Sequence, residues 1–541
     1  MTLIICTICS AQNYQWAVGE GGILEDKALG ITTDDLGNVY VTGFFKSTAA
    51  FGSTTFTSAG VADIFLAKYD SAGNLLWAKQ FGGTSNDIGY DVATDASGNC
   101  YLTGSFRQTA TFGSIILQST GSDGNYDAFL LKTDAQGNVL WAKKGGGADW
   151  DEARGLALTG NQIYITGLFT GPATFGSFTV EDNGGQDVYV ACYTTDGNIN
   201  WVSTGGGPNS DLGLGLASDA QGNAFITGYF QGQATFGNEV ISNASRIYLD
   251  AFTVKISASG TFLWARSGGV ASDDDVGRAV TTDSSGNVYI AGDLRGSGQF
   301  DGINYTSAGI ADIFVVKYDT AGNIQYLTQA GNQGGDYAYG IAAANNNIYI
   351  TGSFNGIVPF GDTVLTSAGS FGPISNDIFF ASMDANTGNF TKALRAGGNG
   401  DDEGNAIAAD FAGNLYQAGD FEHNNSSFTP FVLQTNGVHD IFVARINQAA
   451  LGTYNVSEKP KFFMYPNPVV DLCQIMLTGN ESNDHLNIDI YSCTFQLLKS
   501  MNTHDNPLIS LDVSDFAAGI YYVHFVDEEK SSRTLIKLIK R

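Results

Sequence analysis

The chain of 541 residues carries 54 Asp and Glu against 26 Lys and Arg, a formal net charge of −28, and is 43% hydrophobic but only 15% charged. Phosphate contacts need clustered Lys and Arg, so this balance argues against nucleic acid as a partner and against docking on an anionic membrane surface. No stretch approaches the ~18 apolar residues of a transmembrane helix. With 69 Gly among short alternating apolar stretches, the composition points to an all-β protein of many strands and Gly-rich turns.

Taken in order, residues 1–11 form a short apolar run ending in small residues, which reads as a secretory signal peptide cleaved after Ala11. The charged start of such a peptide is missing, which points to a start upstream of Met1. Residues 12–448 repeat one unit. Asn38-Val39-Tyr40-Val41-Thr42-Gly43 recurs around Gly104, Gly167, Gly228, Gly292, Gly352 and Gly419, at intervals of 61, 63, 61, 64, 60 and 67 residues. Within a unit a small-residue strand leads through an Asp-x-x-Gly-Asn turn to the Thr-Gly strand. A long loop, a third strand, a second such turn and a Trp-bearing fourth strand follow. Four antiparallel strands, seven times over, predict a seven-bladed β-propeller. The seventh unit lacks a fourth strand, while Gln15-Trp16-Ala17 precedes the first unit; Trp16 is therefore expected to complete the last blade and close the ring.

Residues 449–460 read as a linker. Residues 461–541 hold six or seven short strands, enough for a small Ig-like β-sandwich. Cys100 and Cys192 fall on strands as buried small hydrophobes. Whether Cys473 and Cys493 pair is left open, since spacing does not give their distance.

The repeats, with Tyr-x-Thr-Gly-x-Phe and Asp-Ile-Phe-x-x-Lys-Tyr-Asp, resemble the bacterial SBBP β-propeller repeats, which share a fold but no common activity. The C-terminal segment resembles the type A sorting domain of the type IX secretion system of Bacteroidota. The matching positions are Tyr465, Pro466, Asn467, Pro468, Gly519, Tyr521, Lys537 and Lys540; the Gly usual after the middle strand is replaced by Thr494-Phe495. The resemblance implies Sec and type IX export, contact between residues 461–541 and the secretion machinery, and release or attachment at the outer-membrane surface.

One carboxylate recurs in every unit: Asp26, Asp87, Asp151, Asp211, Asp275, Asp336 and Asp402. Each precedes the small-residue strand, so the seven are expected to ring the central channel on one face. A second set, Asp63, Asp127, Asp187, Asp250, Asp312, Asp377 and Asp440, ends the long loops on that face. The structural reading has these acids accept backbone N–H groups of Gly-rich turns; the functional reading is a hard-cation site, Ca²⁺ foremost. Only His423 and His439 lie in the propeller, which argues against a multi-His zinc centre, and no Gly-x-Ser-x-Gly elbow anchors a serine triad. No catalytic residue is therefore assigned. Trp150 stands outside the repeat pattern, as core or as a sugar-stacking platform. The functional expectation is a secreted or surface-displayed module for adhesion, scaffolding or binding of an extracellular glycan or protein, through the face bearing the long loops. The alternative is a carboxylate-dependent polysaccharide hydrolase or lyase on the same scaffold.

Overall fold

A computed structural model describes residues 13–447, apart from 122–123, 244, 246, 271, 369–374 and 424. Beyond these it describes residues 462–465, 471–477, 486–492, 497–503, 508–527 and 532–540. The leader, the linker, Pro466, Asn467, Pro468 and Cys493 lie outside the described residues, as do the side chains of Tyr465, Cys473 and Lys537. The chain divides into two compact units, Met1–Gly452 and Thr453–Arg541.

The first unit is a seven-bladed β-propeller. Blade one is typical: Lys27–Thr33 innermost, then Val39–Phe45, Asp63–Tyr69 and Leu75–Gly83, each antiparallel to the next. Inner strands of successive blades pack on one another around the axis, and Lys27–Thr33 packs on Glu403–Ala409, the inner strand of blade seven. Outermost on blade seven lies Tyr14–Gly22, paired antiparallel with His439–Ile446. The second and third strands are buried on both faces, as in Val39–Phe45 and Asp63–Tyr69. Their side chains fill the spaces between blades, which is why the unit reads as nearly continuous apolar runs.

The Thr-Gly motif has a steric cause. A Cβ on Gly43 would lie 1.9 Å from the Lys27 carbonyl oxygen, and one on Gly104 would lie 1.9 Å from that of Ile88. The close approach accompanies a bulge in each inner strand: pairing with the second strand skips one residue, Leu29 in blade one and Tyr90 in blade two. The preceding Thr caps the arrangement, as Thr42 Oγ1 donates to the Phe65 carbonyl at 2.8 Å and Thr103 Oγ1 to that of Phe129 at 2.9 Å.

Blades interlock at their rims. Trp77 Nε1 of blade one donates to the Ala135 carbonyl in blade two at 3.2 Å, and Trp201 of blade three to the Ala258 carbonyl in blade four at 3.0 Å. Trp16 repeats the contact onto the Ser71 carbonyl of blade one at 3.0 Å.

The connection between second and third strands, expected as a long loop, is a β-hairpin. Thr48–Phe51 pairs with Thr54–Thr57, and Ala49 and Ala50 pair onto Tyr14–Gly22 of the preceding blade. The Phe at its turn is buried in every blade (Phe51, Phe112, Phe175, Phe236, Phe300, Phe360 and Phe428). The long loops are therefore mostly strap, anchored by an aromatic plug, with the outward residues of the hairpin left exposed.

In the second unit, Phe462–Tyr465, Leu472–Leu477 and Leu508–Asp512 form one sheet; Leu497–Thr503, Leu486–Ser492, Gly519–Asp527 and Ser532–Lys540 form another. Ile488, Ile490, Leu511, Val513, Val523 and Leu538 are buried. Lys540 Nζ meets Asp471 Oδ1 at 3.0 Å, and Tyr521 donates to the Ala517 carbonyl at 2.7 Å.

Candidate functional site

The carboxylates singled out by the repeat are enclosed. Asp26, Asp87, Asp151, Asp211, Asp275, Asp336 and Asp402 have no exposed surface. Each binds two backbone N–H groups. One comes from the end of the preceding blade's outer strand, the other from the end of its own blade's second strand. Asp87 accepts from Gly83 at 2.7 Å and from Arg107 at 3.1 Å; Asp402 accepts from Gly398 at 2.7 Å and from Glu422 at 2.9 Å. The same pair of donors serves the other five. These side chains staple blade to blade and sit beneath the surface.

The second set is buried beside the first. A Cβ on Gly146, whose φ is +148°, would lie 2.7 Å from Asp151 Oδ2 and 3.0 Å from Asp127 Oδ1; only a glycine fits between the two carboxyls. Such a pair recurs at every junction, from Asp63 with Asp87 to Asp440 with Asp26. Burial pushes the first-set acids up, to about 8 for Asp151 and Asp275 and about 7 for the other five; backbone N–H groups oppose the rise and the neighbouring Asp adds to it. Among the described residues no group of three or more His, Cys, Asp or Glu is disposed to hold a metal ion.

A different set of side chains converges on the axis. The bulged residue of each inner strand is Leu29, Tyr90, Arg154, Leu214, Arg278, Tyr339 and Asn405 in blades one to seven. All are partly exposed, and a bulge re-aims its side chain relative to the regular pleat. Neighbours in this ring touch. The Arg154 guanidinium lies 3.9 Å from the Tyr90 ring centre, and that of Arg278 lies 5.2 Å from the Tyr339 ring centre. Each Arg is held through Nε by one carboxylate, Glu152 for Arg154 and Asp293 for Arg278. The remaining guanidinium N–H groups are not used by those pairs. Repetition hid this set: it occupies one fixed place, three residues after each stapling Asp, but the residue type changes from blade to blade.

Trp150 extends the ring to the outer face. It is 45% exposed. Its indole stacks on Tyr126 with centroids 5.5 Å apart and planes at 29°, and its Nε1 donates to Glu152 Oε1 at 2.7 Å. Glu152 therefore links an exposed aromatic platform to the Arg154–Tyr90 stack. Val61, Ile247, Ile310 and Val438, each close before a second-set Asp, are also exposed.

Residues 463–541 match the family described as a secretion system C-terminal sorting domain, and residues 76–105 and 264–293 match the β-propeller repeat. The chain is 33% identical over 156 residues to "Regulatory protein FlaEY" of Caulobacter vibrioides, covering 28% of this chain and 16% of that one. It is 23% identical over 434 residues to an uncharacterized WD repeat-containing protein of Acanthamoeba polyphaga mimivirus, covering 63% of this chain and 31% of the relative. The chain thus spans less than a third of either relative. Two solved proteins of Porphyromonas gingivalis are also similar. PorZ, a surface component of the type IX secretion system, is 11% identical with 97% of this chain and 100% of that one covered. Dimeric latent PorU is 10% identical with 96% and 34% covered. Both have a TM-score of 0.14, too low to bear on the fold. The chain carries SBBP-type propeller repeats and a type IX sorting domain, and is exported by that system to the cell surface or the extracellular space.

Proposed function

We propose that this exported β-propeller is a binding module, serving adhesion or scaffolding outside the cell, with its ligand seated at the axial ring and the face around Trp150. The observation that carries the reading is a division of labour. Residues common to all blades are buried in staples, in the glycines opposite the bulges and in plugs, while side chains that differ, Arg154, Arg278 and Trp150 among them, remain partly exposed. Specificity on a repeated scaffold resides in such departures. The hydrolase or lyase alternative needs a pair of carboxyl groups open to substrate, and the repeated acids on which it drew are enclosed.

The propeller is closed by its N-terminal strand in this reading, supported by the pairing of Tyr14–Gly22 with His439–Ile446 and by the Trp16 clasp. Residues 461–541 form a small Ig-like β-sandwich that engages the secretion machinery, supported by the two sheets and the family match. Export begins with a signal peptide at 1–11 in a member of the Bacteroidota. Deleting 461–541 should leave the propeller in the periplasm, and unchanged export would overturn the sorting assignment. The immobilised propeller-bearing chain should retain a member of a panel of extracellular polysaccharides and surface proteins without shortening any polymer. Retention of nothing in either class would overturn the binding reading, and polymer cleavage abolished by one acid substitution would favour the hydrolase.

A further inference from the structure

We infer that the site formed by the axial ring and Trp150 takes an uncharged saccharide. This rests on the reading of the chain as a binding module and names its ligand class. Two features of a saccharide are matched here: a C–H face that stacks on aromatic rings, and hydroxyl oxygens that accept hydrogen bonds from fixed donors. Trp150 and Tyr126 supply a stacked aromatic platform, with the indole 45% exposed. Glu152, buried and held by both Trp150 Nε1 and Arg154 Nε, fixes the Arg154 guanidinium beside that platform, and the N–H groups that this pair does not use are donors for sugar hydroxyls. Arg278, two blades on, is held in the same way by the buried Asp293 of its own blade and lies over Tyr339, so it offers a second guanidinium donor on the ring.

Charge decides between a neutral and an acidic sugar. Neither guanidinium stands alone: Glu152 balances Arg154 and Asp293 balances Arg278. Lys27, at the start of the blade-one inner strand, lies between Glu403 at 2.9 Å and Asp420 at 3.2 Å. The cations near the axis are thus matched by carboxylates, on a chain whose overall charge is −28. A polyanion would approach against that field and find no uncompensated positive group, whereas a neutral polyol loses nothing to it.

The test is affinity electrophoresis of the chain through gels holding neutral β-glucan, mannan or dextran, and through gels holding polygalacturonate or alginate. Retention is expected with at least one neutral polymer. Trp150→Ala and Arg154→Gln should each weaken it by about tenfold or more, with the melting transition of Trp150→Ala still cooperative. Preference for the polyanions, or neutral retention untouched by both variants, would overturn the saccharide site while leaving the binding reading in place. Retention of a surface protein but of no polysaccharide would do the same. If Arg154→Gln fails to fold, Trp150→Ala alone decides.

Discussion

The blade junctions and the axial ring are built from the same repeat, yet they obey opposite rules. At a junction the same Asp, the same Gly and the same pair of backbone donors appear seven times, with every carboxyl buried. On the ring one backbone bulge appears seven times, but its side chain runs from Leu29 and Tyr90 through Arg154 to Asn405. Uniform residues therefore mark where the backbone has a single solution. Varied residues mark where the solution leaves a side chain free to differ. The bulge connects the two regions, since the Thr-Gly glycine that makes it possible also presents the varied residue to the axis.

Removing the bulge should be the most damaging change. Gly43→Val puts a branched side chain where a Cβ already falls 1.9 Å from the Lys27 carbonyl oxygen. Forcing strand and bulge apart should cost more than ~3 kcal/mol. In a denaturant titration the midpoint should fall sharply, and Gly104→Val should behave alike because its contact with Ile88 is the same. An unchanged midpoint would mean that the bulge is adaptable and that the shared glycine has another purpose.

The glycine period made the blade count legible before any coordinates, and the Asp-x-x-Gly-Asn turns were legible from their chemistry. In each, as at Asp70, one carboxylate oxygen accepts from Ala72 N and Asn74 N while the other accepts from the Asn74 side chain. What was not legible depended on neighbours distant in the chain. The Phe-Gly pairs, such as Phe51-Gly52, marked the hairpin turns, but strands of four residues do not show a period. The stapling acids were found, and their depth was not, because depth is set by the neighbouring blade that closes over them. The ring was invisible for a further reason. Which inner-strand residue bulges depends on pairing with the next strand, and a motif search discards the position whose identity varies.

A junction loses less when one staple is cut. Asp151→Ala leaves the Gly147 and Thr170 amides without their acceptor. It also removes a buried carboxyl that Asp127 repels. The stranded donors outweigh that relief, and a net loss of about 2 kcal/mol is expected from thermal or chemical unfolding. Trp150→Ala, the matching cut on the ring side, loses the stack on Tyr126 and the donor to Glu152, but from a half-exposed ring, so a smaller loss of about 1 kcal/mol is expected. If the two substitutions destabilise equally, the division between scaffold and site fails.

The smallest expected effect is the pH dependence of stability at the junctions. Burial raises Asp211 to about 7 and Asp187 to about 6, against about 3.9 for an Asp in the unfolded chain. A carboxyl raised in the folded state holds its proton longer there than when unfolded. Its contribution to stability is therefore complete below about pH 4 and is lost as pH rises through about 6 to 7. The melting temperature of the propeller should fall between pH 5 and pH 8, the reverse of what salt-bridged carboxylates produce. Asp187→Asn tests the cause at one junction. Asp187 Oδ2 accepts from Asn183 N, while its Oδ1 has no hydrogen-bond donor and faces the Asp211 pair. An amide keeps the acceptor, turns the unpaired oxygen into a donor toward Asp211 and removes one like charge. The variant should be more stable than the parent at pH 8 by up to ~1 kcal/mol, with the difference shrinking toward pH 5. A variant less stable at both pH values would show that Asp187 is held as an anion, and would place a compensating positive charge at the junctions.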